Sequence, residues 1–280
     1  MQRKTPPTAP ISSDDLEPYA KSLRALVPSR EALLAEARAQ STRNASRRRK
    51  AAGTALLLAL AGWAWLADPA LGYRQIEVAS SGREVLHLSD GSRIELDAGS
   101  VLRIEYRLRS RQFELLDGEG LFSVAHQPKP FIVRSQGVAV RDIGTVFDVR
   151  SDLRGVQVAV LEGAVEVDNG EARRQLTAKE QLLASPLALG PIEATRPGEL
   201  EAWRRDLFHF DGTPLDVVVA QLRRHRAAPI QLEGAPAGAY RLSGEFLTGN
   251  VEQLIDTLPR LAPVTVHRED GGVVKVVVRH

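Results

Sequence analysis

Gly144 and Thr145 have the most specific chemistry open to them of any residues in this chain. They sit in "VRDIGTVFDVR", Val140–Arg150, whose alternation reads as a β-strand. A glycine inside a strand packs nothing and weakens the ladder, so its presence there needs a reason. One reason is a β-bulge. The other is that the Gly144–Thr145 peptide bond itself reacts. The Oγ of Thr145 can attack the Gly144 carbonyl carbon through a five-membered ring. The N–O acyl shift that follows turns the amide into an ester, which water hydrolyses. Glycine leaves that carbonyl open and tolerates unusual φ/ψ. The β-branch of threonine restricts χ1 and can hold Oγ nearby. A planar amide resists, at about 1 kcal/mol for ~12° of ω, so the surrounding strands have to impose strain. A base must take the hydroxyl proton from within about 3 Å. Asp142 and Asp148 are candidates by proximity in sequence, and His126 through the fold; the sequence leaves all three open.

Other chemistry has less support. His87, His126, His209, His225, His267 and His280 are scattered, without metal-ligand spacing. The chain has no cysteine, which excludes disulfides, thiolate metal sites and a cysteine nucleophile. It contains no G-x-S-x-G elbow and no phosphate-binding glycine loop. Glu162 and Glu166 in "VLEGAVEV" mimic a glycosidase pair, but alternating strand carboxylates are ordinarily solvated. Arg223, Arg224 and Arg226 follow a helix pattern and suit its C-terminal dipole. The expectation is no metal, no cofactor and no enzyme beyond intramolecular self-cleavage.

Charge shows how the elements are arranged. Residues 1–50 hold 11 Lys/Arg and 5 Asp/Glu, a balance of +6. The other 230 residues hold 37−11 = 26 basic and 35−5 = 30 acidic groups, a balance of −4. Basic groups are not interleaved with aromatics, which argues against a nucleic-acid surface. The step between the two parts falls at "SRRRKAAGTALLLALAGWAWLADPALGY". Ala51–Ala67 is a run of 17 uncharged residues, at the short end of what spans a bilayer. Trp63 and Trp65 lie where indoles favour the headgroup layer, and Asp68-Pro69 stops the helix. Arg47, Arg48, Arg49 and Lys50 precede the run, so residues 1–50 are expected in the cytoplasm and the body outside. The N-region is too long for an ordinary signal peptide. The twin arginine in "SRRRK" leaves export of a folded body open.

On the cytoplasmic side, "MQRKTPPTAPISS" reads as disordered. Ser12 with Asp15 opens a helix whose Leu16, Tyr19, Leu23 and Leu26 share one apolar face. Pro28-Ser29 interrupts it, and "REALLAEARAQ" follows as a second helix. Two such helices bury little of their own surface, so that face suits either a partner's groove or a tether.

From Tyr73 the chain alternates apolar and polar residues between turns. Turns are expected at Asp90-Gly91, Ala98-Gly99, Gly118–Gly120, Gln136-Gly137, Asp152–Gly155 and Glu162-Gly163. Many short strands without intervening helices predict an all-β sandwich or roll over 73–190. Residues 200–280 predict a β-α-β-β-α-β-β domain. Its first helix follows a capping box at Thr213–Asp216 with Pro214 at the first helical position. Its valine-rich last strand is expected to offer an open edge. The chain is thus read as multi-part: a short α-helical segment over 1–50, one transmembrane helix over 51–67, and the all-β and small α+β domains.

"LSDGSRIELDAGSVLRIEY", "ELLDGEGLFSVAH", "PFIVRSQGVAVRDIGTVFDVR", "VAVLEGAVEV" and "LFHFDGTPLDVVVAQLRRH", in this order after one membrane helix, resemble the FecR family of transmembrane anti-sigma regulators. The tail after Trp203 is similar to that family's secretin/TonB short N-terminal-like (STN-like) module. The resemblance implies a single-pass inner-membrane protein of a cell-surface circuit sensing iron-siderophore or haem uptake. Its cytoplasmic segment, here with Leu16, Tyr19, Leu23 and Leu26, would bind an extracytoplasmic-function sigma factor. Its periplasmic tail would meet the signalling domain of a TonB-dependent outer-membrane receptor. Stepwise cleavage by periplasmic and intramembrane proteases would then release or activate the sigma factor. Several members split themselves at a Gly-Thr bond in a "GTxFxV"-like strand, and "GTVFDV" matches at Gly144, Thr145, Phe147 and Val149. The family's cytoplasmic part is usually longer and carries tryptophans, which residues 1–50 lack. The rival reading is a membrane-anchored periplasmic binding or scaffold protein without a sigma partner.

Overall fold

The computed structural model describes residues 30–195, 202–234 and 237–279. The predicted helix carrying Leu16, Tyr19, Leu23 and Leu26 lies outside them. Arg30–Ala67 form one helix of 38 residues, α1. The helix read from "REALLAEARAQ" and the span over 51–67 run together as one, because no proline interrupts the stretch from Arg30 to Ala67. Its last 18 residues, Lys50–Ala67, are long and apolar enough to cross a membrane. At 1.5 Å per residue they reach about 27 Å. Asp68, at φ +43, and Pro69 end the helix.

Asp68 begins a second unit, which holds two cores. The first belongs to thirteen strands: β1 (Gly72–Glu77), β2 (Glu84–His87), β3 (Arg93–Leu96), β4 (Val101–Tyr106), β5 (Arg111–Ser123), β6 (Phe131–Ser135), β7 (Val138–Asp142), β8 (Val146–Asp152), β9 (Gly155–Glu162), β10 (Ala164–Asp168), β11 (Arg173–Thr177), β12 (Glu180–Ala184) and β13 (Glu193–Ala194). One layer runs β1-β4-β5-β6-β7-β10-β11 and the other β2-β3-β5-β8-β9-β12-β13. All neighbours are antiparallel except β5 and β6. The sandwich expected from the alternation is therefore what forms.

Its core has few aromatics, and they are placed to join the layers. Phe113 stacks on Phe131 at 4.4 Å, Phe131 meets the edge of Phe122, and Phe122 stacks on Phe147 at 5.3 Å. Val, Leu and Ile from both layers fill the rest.

β5 belongs to both layers. Its first half pairs with β4 and β6, its second with β3 and β8. The turn expected at Gly118–Gly120 is instead the bend where this single strand changes layers. The Ser100 hydroxyl accepts from the Glu119 N–H at 3.0 Å and donates to the Glu119 carbonyl at 3.1 Å, holding the strand on course. Gly118 sits at φ +95 against Ser100, where any Cβ would overlap the serine.

The second core belongs to β14 (Leu207–Pro214), α2 (Leu215–Arg224), β15 (Ile230–Glu233), β16 (Arg241–Leu247), α3 (Val251–Leu261), β17 (Val264–Arg268) and β18 (Val274–Val278). β14 pairs with β16, and β15-β18-β17 form a second small sheet. The expected capping box is absent. Pro214 is the N-cap with no side-chain cap, and Thr213 Oγ1 accepts from Asp211 N–H instead. The valine-rich strand β18 is not an edge but the centre of its sheet, parallel to β15 and antiparallel to β17. Pairing on both sides is what its unbroken valine run suits.

Candidate functional site

Gly144-Thr145 does not lie inside a strand. It forms the tight link between β7, in one layer, and β8, in the other. The reactive bond is therefore at a corner of the sandwich, where the chain turns sharply. Asp142, the last residue of β7, shapes the corner. Its Oδ1 accepts from the Gly144 N–H at 3.0 Å and from the Thr145 hydroxyl. The first of these is the Asx-turn bond, in which a short acidic side chain substitutes for a backbone acceptor.

Thr145 is buried, while Gly144 is exposed at φ +95. The Thr145 carbonyl accepts from Val124 N–H at 3.0 Å, and Ile143 N–H donates to Ala164 O at 3.1 Å. The bond is thus clamped on both sides. Beyond it, the β8–β9 register shifts between Val146 and Phe147, so the bulge reading applies to the first residues of β8. Gly163, at φ +79 in the β9–β10 turn, lies under the Gly144 carbonyl oxygen. A Cβ there would fall on that oxygen.

Of the three candidate bases, Asp142 is the one whose carboxylate reaches the Thr145 hydroxyl. Asp148 points away and accepts from Trp203 Nε1 at 3.3 Å, and His126 is exposed in the β5–β6 connection. Gly163 was legible only as a turn residue; its contact with Gly144 needs the third dimension. Gly163→Ala is expected to force the corner open and to cost about 1–3 kcal/mol in backbone strain alone. A urea unfolding midpoint unchanged from wild type would refute the contact.

Residues 74–166 match the FecR protein family, from β1 through β10 and across the Gly144-Thr145 corner. The chain carries a FecR domain. The family read from the sequence is borne out over that third of the chain. No curated protein sequence matches it. Two crystal structures of a proposed anti-sigma factor from Parabacteroides distasonis ATCC 8503, at 2.50 and 1.65 Å resolution, are similar. They share 25% identity with TM-scores of 0.65 and 0.64, covering 75% and 74% of this chain and all of theirs.

A second cluster lies on the outer face of the FecR domain's second layer. Strand alternation alone would turn Glu95, Glu119 and Asp148 toward water, yet all three are buried. The C-terminal module covers them. Trp203 lies over Asp148, and Arg204 reaches Glu95 at 3.3 Å. His225 Nε2 meets Asp97 Oδ2 at 3.1 Å, and Arg224 packs on the Gly99 turn. Arg83 of the FecR domain donates to the Trp203 carbonyl at 2.8 Å and pairs with Asp206 at 2.7 Å.

Burial pushes the Asp148 carboxyl well above the usual carboxylate range, and the neighbouring Glu119 carboxylate adds to the rise. Burial raises Glu119 as well. A carboxyl that binds its proton more tightly when folded stabilises the fold fully below its unfolded value, near pH 3.9. That contribution is lost as pH climbs through the elevated folded value. Asp148→Asn keeps an acceptor for Trp203 but cannot ionise. At neutral pH it should raise the melting midpoint, by about 2–4 °C for each kcal/mol gained, and should flatten the decline in stability as pH rises above the ordinary carboxylate range. A midpoint that falls at pH 7 would contradict this.

Several other polar residues singled out from the sequence make contacts within the fold. Among the described residues no three His, Asp or Glu side chains come together as a metal site. Glu166 pairs with Arg173 at 3.5 Å. Arg223 ties α2 to the Ile230 carbonyl and Arg226 pairs with Glu252, so neither acts mainly on the helix dipole.

Proposed function

We propose that this chain is a single-pass inner-membrane anti-sigma regulator, with residues 1–50 in the cytoplasm and the FecR domain and C-terminal module in the periplasm. The observation that carries the reading is a FecR domain directly following one candidate membrane span. The face of Leu16, Tyr19, Leu23 and Leu26 binds an extracytoplasmic-function sigma factor. The C-terminal module acts as the STN-like part and receives the signalling domain of a TonB-dependent outer-membrane receptor. Periplasmic and intramembrane proteases then cut in sequence, and the sigma factor is freed or activated. The test is co-purification of the tagged, detergent-solubilised full chain with sigma factors of its host. Wild type retains one and Leu23→Asp loses it. If wild type retains none, the chain is a membrane-anchored periplasmic scaffold.

Within this reading the FecR domain cuts itself at Gly144–Thr145. Asp142 takes the proton of the Thr145 hydroxyl as Oγ attacks the Gly144 carbonyl carbon. The tetrahedral oxyanion collapses, the C–N bond breaks, and the proton passes to the departing Thr145 nitrogen. Water then hydrolyses the ester, leaving a Gly144 carboxylate and restoring the Thr145 hydroxyl. Exposure of Gly144 gives water its access. Across the cut β8 pairs with β5 and β10 with β7, so the fragments 1–144 and 145–280 stay assembled.

A further inference from the structure

Asp68 is the first residue after the candidate span, and three groups of the β4–β5 loop hold it. Its Oδ1 accepts from Arg109 N–H at 2.9 Å, its Oδ2 from the Ser110 hydroxyl at 2.6 Å, and its carbonyl from the Arg107 guanidinium. Leu71 N–H donates to Tyr106 O at 2.8 Å, and β1 enters the sheet with Gly72 opposite Tyr106. Covalent continuity therefore keeps this end of the FecR domain beside the point where the chain leaves the bilayer. Leu71 lies four residues after Ala67, at most about 14 Å of extended chain.

What this end exposes is unusual for a surface in water. Leu71, Tyr73, Tyr106 and Leu108 are each more than half exposed. Large apolar groups gathered in one place mark an interaction site. The charge there also runs against the rest of the body. Of the five arginines at this end, Arg103 pairs with Glu114 at 2.7 Å, Arg107 with Glu105 at 2.8 Å and Arg111 with Asp90. Counted with those partners and Asp68 the balance is 5 − 4 = +1, in a part of the chain whose total is −4, and Arg74 and Arg109 are the exposed arginines. Leu108 thus stands at a loop tip between two arginines, with tyrosines behind it. An apolar tip enters the acyl boundary, tyrosine rings sit at headgroup level, and exposed arginines such as Arg74 and Arg109 face lipid phosphates, while Arg107 holds the loop to Asp68 and Glu105.

We propose that Arg107-Leu108-Arg109, with Leu71, Tyr73 and Tyr106, is a foot that beds the FecR domain in the anionic headgroup layer of the membrane its own helix spans. The proposal rests on Lys50–Ala67 being that span. Its consequence is orientation, because a domain seated on the bilayer presents a fixed side outward instead of swinging on the Asp68-Pro69 link.

The chain has no cysteine, so single introduced cysteines label cleanly. The full chain is reconstituted in lipid nanodiscs of about three parts phosphatidylcholine to one part phosphatidylglycerol. An environment-sensitive dye is placed at Leu57→Cys, Leu108→Cys or Leu187→Cys. Lipid-borne nitroxides should quench the dye at 57 and at 108 and leave the one at 187 bright. Arg109→Glu in the 108-labelled chain, or discs of phosphatidylcholine alone, should reduce quenching at 108 by at least about half, as expected where basic residues hold a segment to anionic lipid. Quenching at 57 with a 108 dye as bright as that at 187 overturns the foot. So does undiminished quenching at 108 without phosphatidylglycerol, and so does shielding at 108 that grows with protein concentration, which indicates a second copy. An unquenched dye at 57 overturns the span instead.

Discussion

Thr145→Ala should leave the chain in one piece on a denaturing gel, where wild type is expected to run as fragments 1–144 and 145–280. Removing the hydroxyl removes the nucleophile, so the effect is complete rather than graded. Asp142→Asn tests the base separately. General-base assistance contributes about 10²–10⁴-fold, and the rate of appearance of the new Thr145 N-terminus should fall by that factor. Asparagine retains the side-chain oxygen that caps Gly144 N–H, so the corner survives the change. Thr145→Ser keeps the hydroxyl and should still split, more slowly because χ1 is freer. If Thr145→Ala splits at the same bond, the acyl shift is wrong. If Asp142→Asn splits at the wild-type rate, another group takes the proton.

Trp203→Ala should undock the C-terminal module from the FecR domain. Trp203 is 95% buried, holds Asp148 through its ring N–H, and lies under the Arg83 guanidinium at 5.4 Å. Truncating a large buried aromatic costs about 3–5 kcal/mol, and here the loss falls on one interface. It also strips a donor from a buried carboxyl, which adds about 1–3 kcal/mol. Calorimetry should resolve two transitions where wild type is expected to give one, since each module keeps its own core. Trp203→Phe separates the two effects, because it restores most of the apolar contact without the N–H. A single transition unshifted in Trp203→Ala would show that the ring does not hold the modules together.

The parts of the fold that could be read from sequence were those governed by local chemistry. Asp90-Gly91 and Gln136-Gly137 mark hairpins because each turn needs a left-handed residue, and Gly91 and Gly137 have positive φ. Glu162-Gly163 is also a turn at positive φ, but it carries the chain from β9 in one layer to β10 in the other. Gly118-Glu119-Gly120 carried the same signal and failed, because a strand changing layers also needs glycine freedom. What separates the two cases is Ser100, eighteen residues upstream of Gly118. The corner at Gly144 was mistaken for the middle of a strand because apolar alternation runs on through both β7 and β8, and nothing local marks the change of sheet. Asp142, Asp148 and His126 could not be ranked for the same reason. Alternation assigns a residue to a face of a sheet, but what covers that face is decided elsewhere in the chain. Trp203, some fifty residues after Asp148, is what turns a strand carboxylate from a solvated group into a buried one.

The way the strands interleave around the corner changes the reaction order of unfolding. In an intact chain, β8 leaves β5 and returns to it as a first-order process, at a rate that ignores how many copies are present. After a cut at Gly144–Thr145 the same strands belong to two molecules sharing one core, since β10 still lies on β7 and β8 on β5. Opening is then a dissociation, and reassembly a second-order encounter between fragments at whatever concentration the compartment holds. The cut domain would therefore be as secure as the whole one at rest, yet unable to recover once its halves have been drawn apart.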